Sequence, residues 1–304
     1  MRSNNLKLFL TILFILIIFL IYNEKTKKEN LQVTISKKFY QLKCITLYKK
    51  QRNPDPKLIK RPPVKEIPTE MFDEFTMNGK MLVSYYYKNE AYTDSSSNDR
   101  KINHEYSIME IAKLVEIAKN NQPQPNYGDI ILNDLMKNYS SFVKDKSVVV
   151  IGTQLPWVEA IAYYHGASYI TTLDYTRKKY RIANMSWYHV NDFLDEYIEN
   201  NKIEEFDVAL SFSSIEHSGL GRYGDPLNPN GDFDAVQQMH CLLKSGGLLF
   251  LAVPESGDGT SRIEFNLHRI YGKDRLEILF KGWKLLKRIK DSSGFHGIYV
   301  LEKL

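Results

Sequence analysis

Cysteine is nearly absent from the 304-residue chain, where Cys44 and Cys241 are the only two. Two thiols build neither a disulfide framework nor a four-thiolate zinc site. Only one long apolar run occurs, which excludes a polytopic membrane protein, and no internal repeat is visible. Hydrophobic residues at 43% and charged residues at 25% exclude wholesale disorder. The body also lacks excess positive charge. Of the net +5, residues 1–22 hold +2 and residues 23–65 hold +10, so residues 66–304 carry −7. A nucleic-acid-binding domain needs a basic face on the body itself, so no nucleic-acid partner is expected.

The apolar run, Leu8–Tyr22, has fifteen residues without a charge. As a helix it is about 22 Å long, short for a hydrocarbon core of ~30 Å unless Lys7 snorkels. A secretory signal peptide competes, but Ile21-Tyr22-Asn23-Glu24-Lys25 offers no small-x-small cleavage pattern. Residues 1–22 therefore read as an uncleaved signal-anchor that makes the chain a single-pass membrane protein. Flanking charges are balanced, and the short N-terminal tail leans the body toward the lumen of the endoplasmic reticulum or Golgi. Residues 23–65 form a basic stalk, with Pro54, Pro56, Pro62 and Pro63 stiffening its second half. Within it Leu31–Tyr48 reads as one amphipathic piece near the membrane. Asn138-Tyr139-Ser140 is a glycosylation sequon, relevant only to a lumenal body.

Residues 66–304 read as one α/β domain with its core over 100–304. Residues 66–106 look irregular. Ser107-Ile108-Met109-Glu110 is a capping box that opens an amphipathic helix. From Ser147 the pattern alternates strand and helix. Strands are expected at Ser147–Ile151, Ser168–Leu173, Trp187–Val190, Phe206–Phe212 and Gly247–Val253. Helices are expected at Trp157–His165, Tyr175–Asn184, Phe193–Asn200, Asp232–Leu243 and Asp274–Phe280. Trp283–Ile289 and Gly297–Leu301 pair around an Asp291-Ser292-Ser293-Gly294 turn. Such alternation predicts a doubly wound, Rossmann-like sheet with ligands beyond the carboxyl ends of its strands.

Those ends form a constellation. Gly152 follows the first strand, Asp174 the second, Asp192-Phe193 the third and Ser213-Ser214-Ile215-Glu216-His217 the fourth. An adenine nucleoside needs close backbone approach, a carboxylate for ribose hydroxyls and a clamp for the base. Gly152, Asp174 and Asp192-Phe193 supply these in order, with Ser213 beside them. Glu216 and His217 are candidate bases. Gly219–Asp232, carrying Arg222, Tyr223 and Asp225, reads either as an acceptor-site lid or as an ordered connection. His217, Asp225 and His240 lack compact metal-ligand spacing, so no metal is assigned. Cys241 reads as a small core residue.

On these motifs the sequence resembles the class I S-adenosylmethionine-dependent methyltransferases. It is closer still to a nematode and plant family of unknown function numbered 268, through SFSSIEHSGLGRYGDPLNPNGDFDA at Ser211–Ala235. The resemblance implies a mostly parallel seven-stranded sheet and S-adenosylmethionine as cofactor. It implies Asp174 on the ribose, Asp192 and Phe193 about adenine, and Ile215-Glu216-His217 beside the methyl donor. The loop after strand one departs from that pattern: Val150 replaces an acid, and only Gly152 precedes Pro156-Trp157.

Three functions follow. The first is an anchored methyltransferase acting on a small molecule, glycan or protein side chain, and the second an inactive binding or scaffold protein on the same fold. The third, a stalked glycosyltransferase, rests on the anchor and stalk alone.

Overall fold

The structure is a computed structural model that describes residue 32 and residues 34–60, 62–90, 104–125, 127 and 129–304. The signal-anchor at residues 1–22 lies outside them. Among the described residues no helix is long and apolar enough to cross a membrane. The chain divides into two units, Met1–Thr46 and Leu47–Leu304. The described part of the first is helical.

The second unit takes up part of the expected stalk. Leu227 donates its N–H to Leu58 O, and Arg52 pairs with Asp195, so the chain from Arg52 to Leu58 lies on the body instead of forming a free spacer. The lead-in is also more ordered than its sequence suggests. It holds helix α1 (Phe72–Phe75) and strands β1 (Leu82–Tyr85) and β2 (His104–Tyr106).

Then follow α2 (Ile108–Lys119), α3 (Ile131–Asn138), α4 (Ser140–Val143), β3 (Ser147–Ile151), α5 (Trp157–Tyr164), β4 (Tyr169–Asp174), β5 (Lys178–Tyr180), β6 (Met185–His189), α6 (Val190–Glu199) and β7 (Phe206–Phe212). The chain closes with α7 (Gly231–Leu242), β8 (Leu243–Pro254), β9 (Arg262–Phe265), β10 (His268–Ile270), α8 (Lys273–Leu279), β11 (Trp283–Lys290) and β12 (His296–Lys303). The Ser107 capping box is present in full at the start of α2. Cys241 is fully buried on α7, though it is not a free thiol.

The main sheet has the order β11-β12-β8-β7-β3-β4-β6. Strands β6, β4, β3, β7 and β8 run parallel, β12 runs antiparallel to β8, and β11 antiparallel to β12. This is a doubly wound, Rossmann-like sheet of seven strands, with an antiparallel pair at one edge. Val148, Val149 and Val150 are fully buried, as a central parallel strand covered on both faces requires. Chain direction across the sheet reverses between β3 and β7, the switch point at which such sheets bind ligands.

Tyr175–Asn184 is not a helix. Lys178 and Tyr180 are buried while Lys179 is not, a period of two, and β5 pairs in parallel with β2. The second elementary sheet, β1-β9-β10, covers a smaller core of Ile67, Phe75, Met81, Leu220, Leu227, Ile263 and Phe265.

One buried acid gives the fold a pH dependence. Glu159 on α5 is fully buried, bonded by Thr172 Oγ1 at 2.7 Å and Tyr180 OH at 3.1 Å. Burial pushes its carboxyl from an ordinary 4.5 up to about 7, against the pull of those donors. Between these values the folded chain holds a proton that the unfolded chain has released. Stability therefore falls as pH rises through that window, by ~3 kcal/mol for a shift of this size, and levels off above it. Melting curves from pH 4 to 8 should show this decline, and Glu159→Gln should remove its share.

Candidate functional site

A cavity of about 410 Å³ opens at the switch point. Its floor comes from the loop after β3 (Gly152, Thr153, Gln154), the end of β4 (Asp174, Tyr175, Thr176) and the end of β7 (Phe212, Ser213, Ser214). Gly152 has φ +67°, and a Cβ there would stand 1.9 Å from Ser214 Oγ. The position therefore tolerates only glycine without a shift of the neighbouring strand end.

Asp174 is on the cavity wall but already engaged. Its carboxylate accepts from Thr176 N at 3.2 Å and Thr153 N at 3.4 Å and pairs closely with Lys178 Nζ. Lys178 is buried and bonds Thr153 O as well. A carboxylate has about four lone-pair sites, so roughly one remains for a ligand hydroxyl. Nothing in the spacing of the sequence signals this lysine.

The expected adenine clamp is not assembled. Phe193 is buried in the core, stacked on Tyr197 at 4.0 Å, and Asp192 lies on the surface beside Arg177. Because α6 begins at Val190, it is Val190 that lines the cavity, together with Tyr175.

Ser213 has φ +49°, a left-handed backbone uncommon for serine. The turn points its hydroxyl at Glu216, 2.6 Å from Oε1, and at His296 Nε2, 3.2 Å away. Glu216 is fully buried behind Ser213 and does not line the cavity. Burial pushes its carboxyl up to about 7, with the Ser213 bond opposing. His217 does reach the cavity, Nδ1 donating to Leu267 O at 2.5 Å. Burial drives its ring down to about 3, so it is a neutral hydrogen-bonding group and a weak base.

The Gly219–Asp232 segment is a fastened wall and not a lid. The Asp225 carboxylate accepts N–H bonds from Gly219 (2.7 Å), Gly221 (3.2 Å) and Tyr223 (3.2 Å). Burial raises its carboxyl and the three N–H bonds oppose that. Arg269 holds the carbonyls of Ser218 (2.6 Å), Asn228 (3.2 Å) and Pro229 (3.2 Å). Arg222 lines the cavity with its guanidinium 4.9 Å over the Tyr223 ring, paired to Glu90 at 2.9 Å. Asp225→Ala should leave three buried N–H groups unpaired and cost about 2–3 kcal/mol. Hydrogen exchange should report it first, as faster exchange at Gly219, Gly221 and Tyr223.

Two further features bear on the site. Asp232-Phe233-Asp234 has the spacing of a nucleotide-metal motif, yet Asp232 is fully buried against Arg275, and Asp234 bonds Lys50 and Asn228. No group of acids, histidines or cysteines that could hold a metal occurs among the described residues. The second feature is the carboxylate behind His296. Asp291 Oδ2 lies 3.0 Å from His296 Nδ1 and accepts from Tyr127 OH at 2.6 Å.

A family profile described as "Caenorhabditis protein of unknown function, DUF268" matches residues 145–296, half of the chain. No curated protein matches. Among solved structures, the chain is similar to a Burkholderia thailandensis 1,6-didemethyltoxoflavin-N1-methyltransferase with bound S-adenosylhomocysteine. That pair shares 14% identity over 64% of this chain and 86% of the other, with a TM-score of 0.38. The 4+2 cyclase SpnF shares 13% over 64% and 92%, TM-score 0.44. The N-methyltransferase NodS of Bradyrhizobium japonicum shares 12% over 57% and 96%, TM-score 0.37.

Proposed function

For a chain that belongs to the family of Caenorhabditis proteins of unknown function DUF268, we propose that the switch-point cavity binds S-adenosylmethionine and that the protein is a methyltransferase. The observation that carries this reading is the position of Asp174. It is the acid at the end of the second strand of a class I methyltransferase sheet, and it opens into a cavity bounded by Gly152 and Ser213. The cavity size falls within the range of small-ligand sites.

The residues fit the cofactor in part. Asp174 accepts from a ribose hydroxyl at its remaining site. Gly152 allows backbone approach, and Val190 and Tyr175 supply the walls for a base. When bound, the cofactor supplies an electrophilic methyl group on a sulfonium. The chain's own contribution is orientation: Ser213 and His217 at the reacting end, and Arg222 and Tyr223 on the acceptor side, fix the acceptor in line with that methyl. Neutral His217 offers a hydrogen bond without placing a positive charge beside a cation.

The acceptor is a small molecule, glycan or protein side chain, and we place the body in the secretory lumen, anchored by residues 1–22. Asn138 is exposed at the end of α3, so a lumenal body carries glycan there. Glycosidase should then shift the wild-type mobility and leave Asn138→Gln unmoved.

A second reading has its own support. Lys178 occupies the carboxylate that a ribose needs, as in a domain that keeps the fold and has lost the ligand. Equilibrium dialysis of the full chain against radiolabelled S-adenosylmethionine separates the two. Saturable retention, unaffected by nucleotide sugars, supports the methyltransferase. No retention by folded chain supports the scaffold.

A further inference from the structure

Ser213, His296 and Asp291 form a chain of contacts that methyl transfer does not require. Ser213 Oγ lies 3.2 Å from His296 Nε2, and His296 Nδ1 lies 3.0 Å from Asp291 Oδ2. Facing the carboxylate, Nδ1 carries the ring hydrogen, which leaves Nε2 as an acceptor within reach of the serine hydroxyl. Asp291 is buried and further held by Tyr127 OH, Ser293 Oγ (2.9 Å) and the His296 N–H (3.2 Å). Arg222 and His217 line the same cavity, but neither touches the serine hydroxyl among the described contacts.

The backbone supports the same role. Ser213 follows a buried parallel strand and precedes the one-turn helix Ile215–His217, in a left-handed conformation at φ +49°. A strained strand-to-helix turn is the usual way to present a nucleophilic serine at the carboxyl edge of a parallel sheet. Such an array is defined by geometry and roles, not by a sequence signature.

We propose that Ser213 is an activated nucleophile with His296 as its base and Asp291 orienting that base, and that the cavity takes an ester or thioester with an apolar acyl group. The acyl specificity comes from the adjoining wall. Tyr127 and Trp157 stack at 5.7 Å, with Phe212 edge-on to both.

The chemistry balances without a metal or redox partner. Ser213 Oγ bonds to the acyl carbon while its proton passes to His296 Nε2. The bond from that carbon to the leaving oxygen or sulfur breaks, and the leaving group takes the proton from His296. Water, or an acceptor hydroxyl, then gives a proton to Nε2 as it attacks the acyl carbon, the bond from that carbon to Ser213 Oγ breaks, and the proton passes from Nε2 to Oγ, which restores Ser213. Asp291 stays ionised: burial raises its carboxyl, but the Tyr127 and His296 bonds win and hold it at about 2. Ser213 Oγ donates to Glu216 Oε1 at 2.6 Å in this structure, so its hydrogen must turn from that carboxyl to His296 Nε2, 3.2 Å away, as the acyl carbon approaches.

The test is labelling of the full chain with a fluorophosphonate, read by mass spectrometry of the Ser213 peptide. The Oγ–P bond forms, fluoride leaves and Nε2 takes the proton. We expect one adduct per chain, at Ser213, absent in Ser213→Ala and about 100-fold slower in His296→Gln. The rate should rise with pH as His296 loses its proton, among facing groups Asp291, Tyr127, Glu216 and His268. Asp291→Asn should lower both the rate and the midpoint of that rise, whereas a merely structural role would leave the midpoint in place. No adduct on folded wild type overturns the proposal. So does a loss in Glu216→Gln that exceeds the loss in His296→Gln, since the base is then Glu216. If His296→Gln fails to fold, wild type decides alone: Ser213 must label far faster in folded chain than in urea-unfolded chain. No methyl donor is present in the assay, so this result and the dialysis result can fail separately.

Discussion

Asp232→Asn should destabilise the second unit by about 3–5 kcal/mol, the usual cost of stripping the partner from a buried charge. Asp232, Arg269 and Arg275 are all fully buried. Arg275 grips both carboxylate oxygens, Nη2 to Oδ1 at 2.6 Å and Nε to Oδ2 at 2.8 Å, and Tyr271 OH adds a bond at 2.9 Å. Burial raises the Asp232 carboxyl, but the two guanidinium groups and the Arg275 and Tyr271 bonds outweigh it and bring it below the ordinary value. That contribution is present above the ordinary carboxylate range and is lost as pH falls through the lower, folded value. Asparagine keeps the shape and removes the charge, leaving two buried cations. Since Arg269 also holds Ser218, Asn228 and Pro229, the wall over the cavity should loosen with it. Urea unfolding followed by circular dichroism gives the magnitude. A loss under 1 kcal/mol would mean that solvent reaches the pair.

Asp174→Ala should weaken S-adenosylmethionine binding by about 1.5–3 kcal/mol, roughly 10- to 150-fold, as expected for hydrogen bonds to a charged group. The mutation also releases Lys178, which is buried beside Thr153 O, so the loop after β3 should become less ordered. The fold should survive, because Asp174 is the last residue of its strand and lies at the edge of the core. Calorimetric titration of wild type and variant measures the difference. Equal affinities would remove Asp174 from the site.

Much of this fold is legible in the sequence because its central strands are buried on both faces. SVVVI is a short apolar run and FDVALSF a mostly apolar one, and β3 and β7 fall on those residues. The hairpin of β11 and β12 also follows from its turn residues. By contrast, β5 carries its signal in three residues, Lys178-Lys179-Tyr180, whose burial alternates only because β2 arrives from more than seventy positions upstream. No local pattern reveals such a partner.

The site divides along the same line. Gly152, Asp174 and Ser213 end strands that sequence can locate, so the cavity holds them as expected. Phe193 departs from the expected clamp by register, since a helix starting at Val190 turns that ring inward. Lys178, Asp291 and His296 come to the site through tertiary packing alone: His296 lines the cavity, Lys178 pairs with Asp174 and Asp291 stands behind His296. The motif marks Glu216 as a site residue, yet the turn at Ser213 puts the serine in front of it.

The central claim, that the switch-point cavity is a methyl-donor site, is tested most directly by ultraviolet cross-linking of the full chain to S-adenosylmethionine tritiated at the methyl group, followed by peptide mapping. We predict saturable label on peptides that contain Gly152–Trp157 or Asp174–Thr176, displaced by S-adenosylhomocysteine. Label confined to peptides outside the cavity, or no displaceable label on folded chain, would contradict it.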